Sequence, residues 1–140
     1  MGVSGTRRPA LPAALVRRVV GAVLDGEGAG EAAFSVTFVG AGGMRTLNRR
    51  TFGRDRVTDV IAFGLPHLER QGGDLYLCPA AARAAAKASG VPLAEELVRV
   101  LVHGTLHALG YDHPEGDGRT GSRMWRRQEW YVRALLARAR

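Results

Sequence analysis

Glu96-Leu97-Val98-Arg99-Val100-Leu101-Val102-His103-Gly104-Thr105-Leu106-His107-Ala108-Leu109-Gly110-Tyr111-Asp112-His113 holds one helix, its stop signal and three of the four histidines of the chain. At helical pitch His103 and His107 lie about 40° apart and one turn up, so their imidazoles can converge on a single ion. With His103 at zero, Leu97, Val98, Leu101, Val102 and Leu109 fall between about 120° and 260° on the same wheel. This predicts that the histidines face away from the core stripe. Gly110 can take the left-handed conformation that ends a helix, letting His113 approach the same point from outside it. Three nitrogen donors leave a coordination position for water or substrate, the arrangement of a catalytic rather than a structural zinc. The expected metal ligands are therefore His103, His107 and His113 around one zinc ion, although three imidazoles also tolerate nickel, copper or iron. Ordinary histidines on a solvated face are the alternative. Three such residues grouped around a helix-stopping glycine weigh against it, whereas His67, alone in a loop after Pro66, suits it well.

Working outward, Leu11, Leu15, Val19 and Val23 recur every fourth residue and predict an amphipathic helix over 11–24. Phe34-Ser35-Val36-Thr37-Phe38-Val39 alternates as a half-buried strand does. A short arginine-bearing helix is expected over 44–52, then strands at 58–63 and 74–78 separated by the loop from Gly64 to Gly73. Pro79 is placed to open a helix that Gly90 stops, the histidine helix follows over about 93–109, and a last helix spans 122–137. The pattern predicts one α+β domain over 1–140: a small mixed sheet of three to four strands packed with four to five helices, the histidine helix lining a metal cleft.

With 140 residues, 46% of them hydrophobic, the chain is long enough for one packed core without disulfides. Cys78, the single cysteine, has no internal partner and reads as a small buried residue, or as a further metal ligand if the fold carries it to His113. No apolar run approaches the ~20 residues of a membrane span, and Met1 to Pro9 has no signal-peptide core, so a cytoplasmic protein is expected. The net charge is +7, and Lys87 is the only lysine beside the arginines. A GC-rich coding genome accounts for such a bias, but not for its placement. Arg45, Arg49, Arg50, Arg54 and Arg56 crowd one segment, and Arg119, Arg123, Arg126, Arg127, Arg133, Arg138 and Arg140 another. Guanidinium groups grip phosphate in two-pronged fashion, which suits a nucleic-acid partner.

The spacing His-x3-His-x2-Gly-x2-His is that of metzincin proteases, whose motif adds a glutamate general base directly after the first histidine. Here that position is Gly104, so the protease reading lacks its proton acceptor. A metal centre among arginines suits a phosphodiester better.

These residues resemble the YbeY endoribonucleases, also described as rRNA maturation factors. The family signature His-Gly-x-Leu-His-Leu-x-Gly-Tyr-Asp-His is matched at His103, Gly104, Leu106, His107, Gly110, Tyr111, Asp112 and His113, with Ala108 in place of the usual leucine. A second block is similar at Asn48, Asp55, Thr58, Asp59, Val60 and Phe63, a third at Gly73-Asp74-Leu75-Tyr76-Leu77, and Met124 and Glu129 fall where the last family helix carries those residue types. The resemblance implies a zinc-dependent, single-strand-specific endoribonuclease of the cytoplasm, acting in 16S rRNA 3′-end maturation and ribosome quality control. The chain departs from the family twice. The arginine that the family places four residues after the asparagine is Phe52 here, which leaves Arg50 or Arg54 to supply a guanidinium to the same space. Only Gly2 to Thr6 precede the first helix where relatives often have a strand, which predicts a frayed or missing sheet edge.

With Arg50 and Arg54, Asp112 completes the catalytic candidates, although orienting a ligand histidine is its simpler role. Asp59 is placed either to accept an imidazole N–H or to cap a turn. Trp125, Trp130 and Tyr131 are expected to pack the last helix onto the core, and Tyr111 to contact substrate. The rival outside enzymology is a metal-stabilised ribosome-assembly or RNA-binding protein, with a metalloprotease as the weaker enzymatic alternative.

Overall fold

A computed structural model describes residues 11–64, 72–111 and 122–138, together with the backbone of 2–4. The elements are β1 (Gly2–Ser4), α1 (Ala13–Gly26), β2 (Ala33–Phe38), α2 (Ala41–Phe52), β3 (Val60–Gly64), β4 (Gly72–Leu77), α3 (Pro79–Ser89), α4 (Leu93–Ala108) and α5 (Arg123–Arg138). The α+β expectation holds, with a four-stranded mixed sheet in the order β1-β2-β4-β3. Strands β1, β2 and β4 run parallel, and β3 lies antiparallel on the outside of β4.

The missing-edge expectation is overturned: Gly2, Val3 and Ser4 pair in parallel with Ser35, Val36 and Thr37. Three residues are too few to show a period, and their order comes from hydrogen bonds to a strand already held in the core.

Alternation along the strands gives the sheet two covered faces. Phe34, Val36, Phe38, Leu75 and Leu77 point to one side, where they meet Val16, Val19, Val20 and Val23 of α1 and Leu97, Leu101 and Leu106 of α4 in the main core. On the other side Ile61 packs with Met44 of α2 and with Cys78, flanked by Leu47, Phe63 and Tyr76. Cys78 is thus the small buried residue expected, in the cluster beneath α2.

Helix α4 is apolar nearly all round because α1, α3, α5 and the sheet all pack on it. Its approach to the sheet depends on Gly104: a Cβ there would stand 2.9 Å from Val60 Cγ2 and 3.4 Å from Leu75 Cδ2. Gly110 ends the element at φ 105°, with hydrogen bonds from Gly110 N to His107 O and from Tyr111 N to Leu106 O. No helix of the described residues is long and apolar enough to cross a membrane.

Candidate metal centre and its cleft

His103 and His107 emerge from successive turns of α4 with ring centroids 4.7 Å apart and ring planes at 81°. The alternative of ordinary histidines on a solvated face does not hold at His103, which is only 9% exposed. The wheel placed it opposite one apolar stripe, but α5 packs over that side and Gln128, itself 1% exposed, covers the ring.

Gln128 then determines the chemistry of the imidazole it covers. Its Nε2 donates to Glu129 Oε2 at 3.0 Å, and a carboxylate only accepts, so the amide must turn its Oε1 toward His103 Nδ1, 2.6 Å away. A carbonyl oxygen likewise only accepts, which puts a proton on His103 Nδ1 and leaves the lone pair of the neutral ring on Nε2. His107 reaches the same state by a backbone route: its Nδ1 donates to the carbonyl oxygen of Tyr111 at 3.0 Å. Both rings are therefore held in the tautomer that offers Nε2 to a cation. That donor chemistry fits zinc.

His113 and Asp112, the remaining ligand and a catalytic candidate, lie outside the described residues, as does His67. Among the described residues no group of three His, Cys, Asp or Glu side chains is placed to hold a metal.

His103 opens onto a cleft of about 550 Å³ between α3, α4 and α5, whose walls include Asp59, Val100, Trp125, Gln128 and Glu129. The wall is held by Arg99, whose Nε and Nη2 both reach Glu129, at 3.0 and 3.1 Å, while Nη1 bonds Glu96 at 3.2 Å and Glu95 at 3.3 Å. Burial alone would push the Glu129 carboxyl up, but the Arg99 and Gln128 hydrogen bonds hold it below the ordinary carboxylate range. An ionised Glu129 keeps the Gln128 amide oriented, so the ion cluster is linked to the tautomer of His103.

Asp59 is brought to the cleft by the segment that follows α2. Asp55 accepts from Arg45 at 2.9 Å, and buried Asn48 donates to the carbonyl oxygen of Arg56 at 3.0 Å. These bonds fold residues 53–59 back on the helix. Arg50 in the last turn of α2 and Arg54 just beyond Gly53 are both exposed on this segment, and Phe52 is 55% exposed between them.

The two tryptophans and the tyrosine of α5 divide. Tyr131 is buried as expected, Trp125 lies on the cleft wall, and Trp130 is 52% exposed beneath the Arg127 guanidinium. Tyr111, expected to meet substrate, turns its hydroxyl inward to Glu27. Sequence reasoning missed both Gln128 and Glu27. For Gln128 there was a signal, a polar residue in the stripe of Met124, Tyr131 and Val132; for Glu27, distant in sequence and at a glycine-rich helix end, there was none.

Glu27 also accepts from Tyr131 and Arg127. Burial raises its carboxyl, yet the hydrogen bonds from Tyr111, Tyr131 and Arg127 bring it below the ordinary 4.5. Burial and the same carboxylate push the Tyr131 phenol up to about 12. The stabilisation from Glu27 is complete above 4.5 and lost as pH falls through its depressed value; that from Tyr131 is complete below 10 and lost as pH rises to about 12. Phenolate absorbance should accordingly show Tyr131 ionising near 12 rather than 10, and ionisation of all three tyrosines together at 10 would contradict the cluster.

Residues 9–135 match the family model described as endoribonuclease YbeY. The chain belongs to the YbeY family. Relatives carrying the name endoribonuclease YbeY include those of Paraburkholderia phymatum, 43% identical over 62% of this chain and 58% of that protein, and of Aromatoleum aromaticum, 42% identical over 74% and 65%. The relative from Thermus thermophilus is 33% identical over 77% of this chain and 81% of its own length. The matched stretch thus spans less than two thirds of the first two proteins. Among solved structures, that of TM1509 from Thermotoga maritima superimposes with a TM-score of 0.67 at 26% identity, covering 98% of this chain and 89% of the other. The paired imidazoles lie on α4, within the stretch that the family model matches.

Proposed function

We propose that the protein is a zinc-dependent endoribonuclease acting on single-stranded RNA, in the cytoplasm, with 16S rRNA 3′-end maturation and ribosome quality control as its setting. One observation carries this reading: two buried or half-buried imidazoles, both bound through Nδ1 to carbonyl oxygens, stand side by side in a chain of the YbeY family, and one of them, His103, opens onto a cleft. His103, His107 and His113 would hold the ion. When bound, zinc supplies a Lewis acid able to polarise a phosphate oxygen or to make water acidic enough to serve as nucleophile.

The side chains around it divide the remaining work. Gln128 and the Tyr111 carbonyl keep the two described imidazoles in the ligating tautomer. Arg50 and Arg54, exposed on the segment that brings Asp59 to the cleft but not in its lining, would supply positive charge to a phosphodiester bound there. Asp112, next to a ligand, orients its histidine. Trp125 offers a ring face on the cleft wall to a base next to the scissile bond.

Phe52 favours a second reading, a metal-stabilised RNA-binding or ribosome-assembly protein, because an exposed ring stands where the family pattern has an arginine. Freshly purified protein should contain one zinc per chain and cut a single-stranded RNA; chelation should abolish cleavage while the fold survives, and restored zinc should return it. Cleavage by zinc-free protein would overturn the metal mechanism. A melting temperature that falls on chelation, with no cleavage under any condition, would establish the second reading instead.

A further inference from the structure

We infer that Glu27 is a positioning residue for the metal centre: by holding Tyr111 it fixes the carbonyl group that sets the tautomer of His107. The inference rests on the proposed role of His107 as a ligand. Tyr111 is the first residue beyond the left-handed glycine that ends α4, a point where chains commonly lose order. Here both ends of the residue are tied. Its N–H donates to Leu106 O at 3.0 Å, and its hydroxyl donates to Glu27 Oε1 at 2.5 Å, across 84 residues of sequence. Between these two anchors lies the carbonyl that accepts from His107 Nδ1.

The anchor is itself built. Glu27 Oε2 accepts from Tyr131 Oη at 2.5 Å and from Arg127 Nε at 2.8 Å, and Arg127 Nη2 donates to Tyr131 Oη at 3.2 Å. Gly26 is part of it, because a Cβ at that position would collide with the Tyr131 hydroxyl. Three donors from α5 and the end of α4 meet one carboxylate at the end of α1. Only a carboxylate accepts all three; an amide has one accepting oxygen, and its N–H groups would oppose the guanidinium or force a phenol to turn from donor to acceptor. With the ring and N–H of Tyr111 both held, its peptide plane has little freedom to rotate, and His107 keeps its proton on Nδ1.

The test uses metal-stripped, full-length, ¹⁵N-labelled protein, in which the ring-nitrogen shifts of His107 report its tautomer, together with zinc affinity measured by competition with a chromophoric chelator. The variants are Glu27→Gln, Tyr111→Phe and both together. Each single variant should show His107 mixing tautomers and zinc binding weakened about tenfold, as for loss of other groups that orient a ligand. The double variant should be no worse than either single one, since both act through one link. Ile61→Val, in the cluster beneath α2, should lower the melting temperature and move neither reading. Singly substituted proteins that keep His107 wholly in the Nδ1–H form with unchanged zinc affinity would overturn the inference, as would losses that add in the double variant. Should Glu27→Gln fail to fold, Tyr111→Phe, which removes a single oxygen, decides the same question. Wild-type protein that binds no zinc would defeat the proposed function instead, and the tautomer measurement would still decide the role of Glu27.

Discussion

Replacing His107 with alanine should strip the protein of zinc and lower cleavage of single-stranded RNA by about a thousandfold or more, the rate equivalent of several kcal/mol of charge stabilisation by the ion. The fold should survive. His107 is half-buried, and loss of its Nδ1 hydrogen bond to Tyr111 O costs about 1 kcal/mol. The main core, by contrast, draws on Leu97, Leu101 and Leu106 from other faces of α4, and none of these changes. The expected result is thus a split: metal content and turnover collapse while the circular dichroism spectrum and the melting profile of metal-free protein stay near wild type. Retained cleavage in zinc-free His107→Ala protein would overturn the mechanism. Loss of zinc with RNA binding intact, and with the wild type equally inactive, would transfer the case to the non-catalytic alternative.

What the sequence could tell about this site is bounded by how far local periodicity reaches. The His103–His107 pair, the stop at Gly110, the opening of α3 at Pro79 and its end at Gly90 all rest on interactions within one or two turns, and each stands where spacing placed it. The burial of His103 was illegible because a helical wheel assumes one packed face. Helix α4 has neighbours on every side, and the residue that covers His103 lies on α5. The clamp at Glu27 is further removed still, for it joins the end of α1 to residues 84 to 104 positions away. No local pattern encodes such a meeting. The strand Gly2–Ser4 escaped for a different reason, since its order is conferred by β2 rather than by its own three residues.

Gly104 carries the second large prediction, and it separates two chemistries that share one histidine spacing. A glutamate at this position would be the general base of a metzincin protease. In this fold the residue faces the sheet rather than the cleft, with Val60 Cγ2 2.9 Å and Leu75 Cδ2 3.4 Å from where a Cβ would stand. Val60 is β-branched and held in β3, so it gives way poorly. For Gly104→Ala, overpacking of about 1–3 kcal/mol is set against the roughly 1 kcal/mol by which alanine outranks glycine in a helix, leaving a net loss of about 1–2 kcal/mol. Gly104→Glu drives a carboxylate against the apolar side chains of Val60 and Leu75 with no space for it, a cost comparable to the whole stability of about 5–15 kcal/mol that small domains possess. Urea unfolding should show the alanine variant folded with a lowered midpoint, and the glutamate variant should accumulate as insoluble or unfolded chain. A soluble Gly104→Glu protein of wild-type stability would show that α4 does not lie against β3 and β4 as described. Peptide hydrolysis by that protein would go further, because it would place the new carboxylate beside the histidines and return the protease reading to contention.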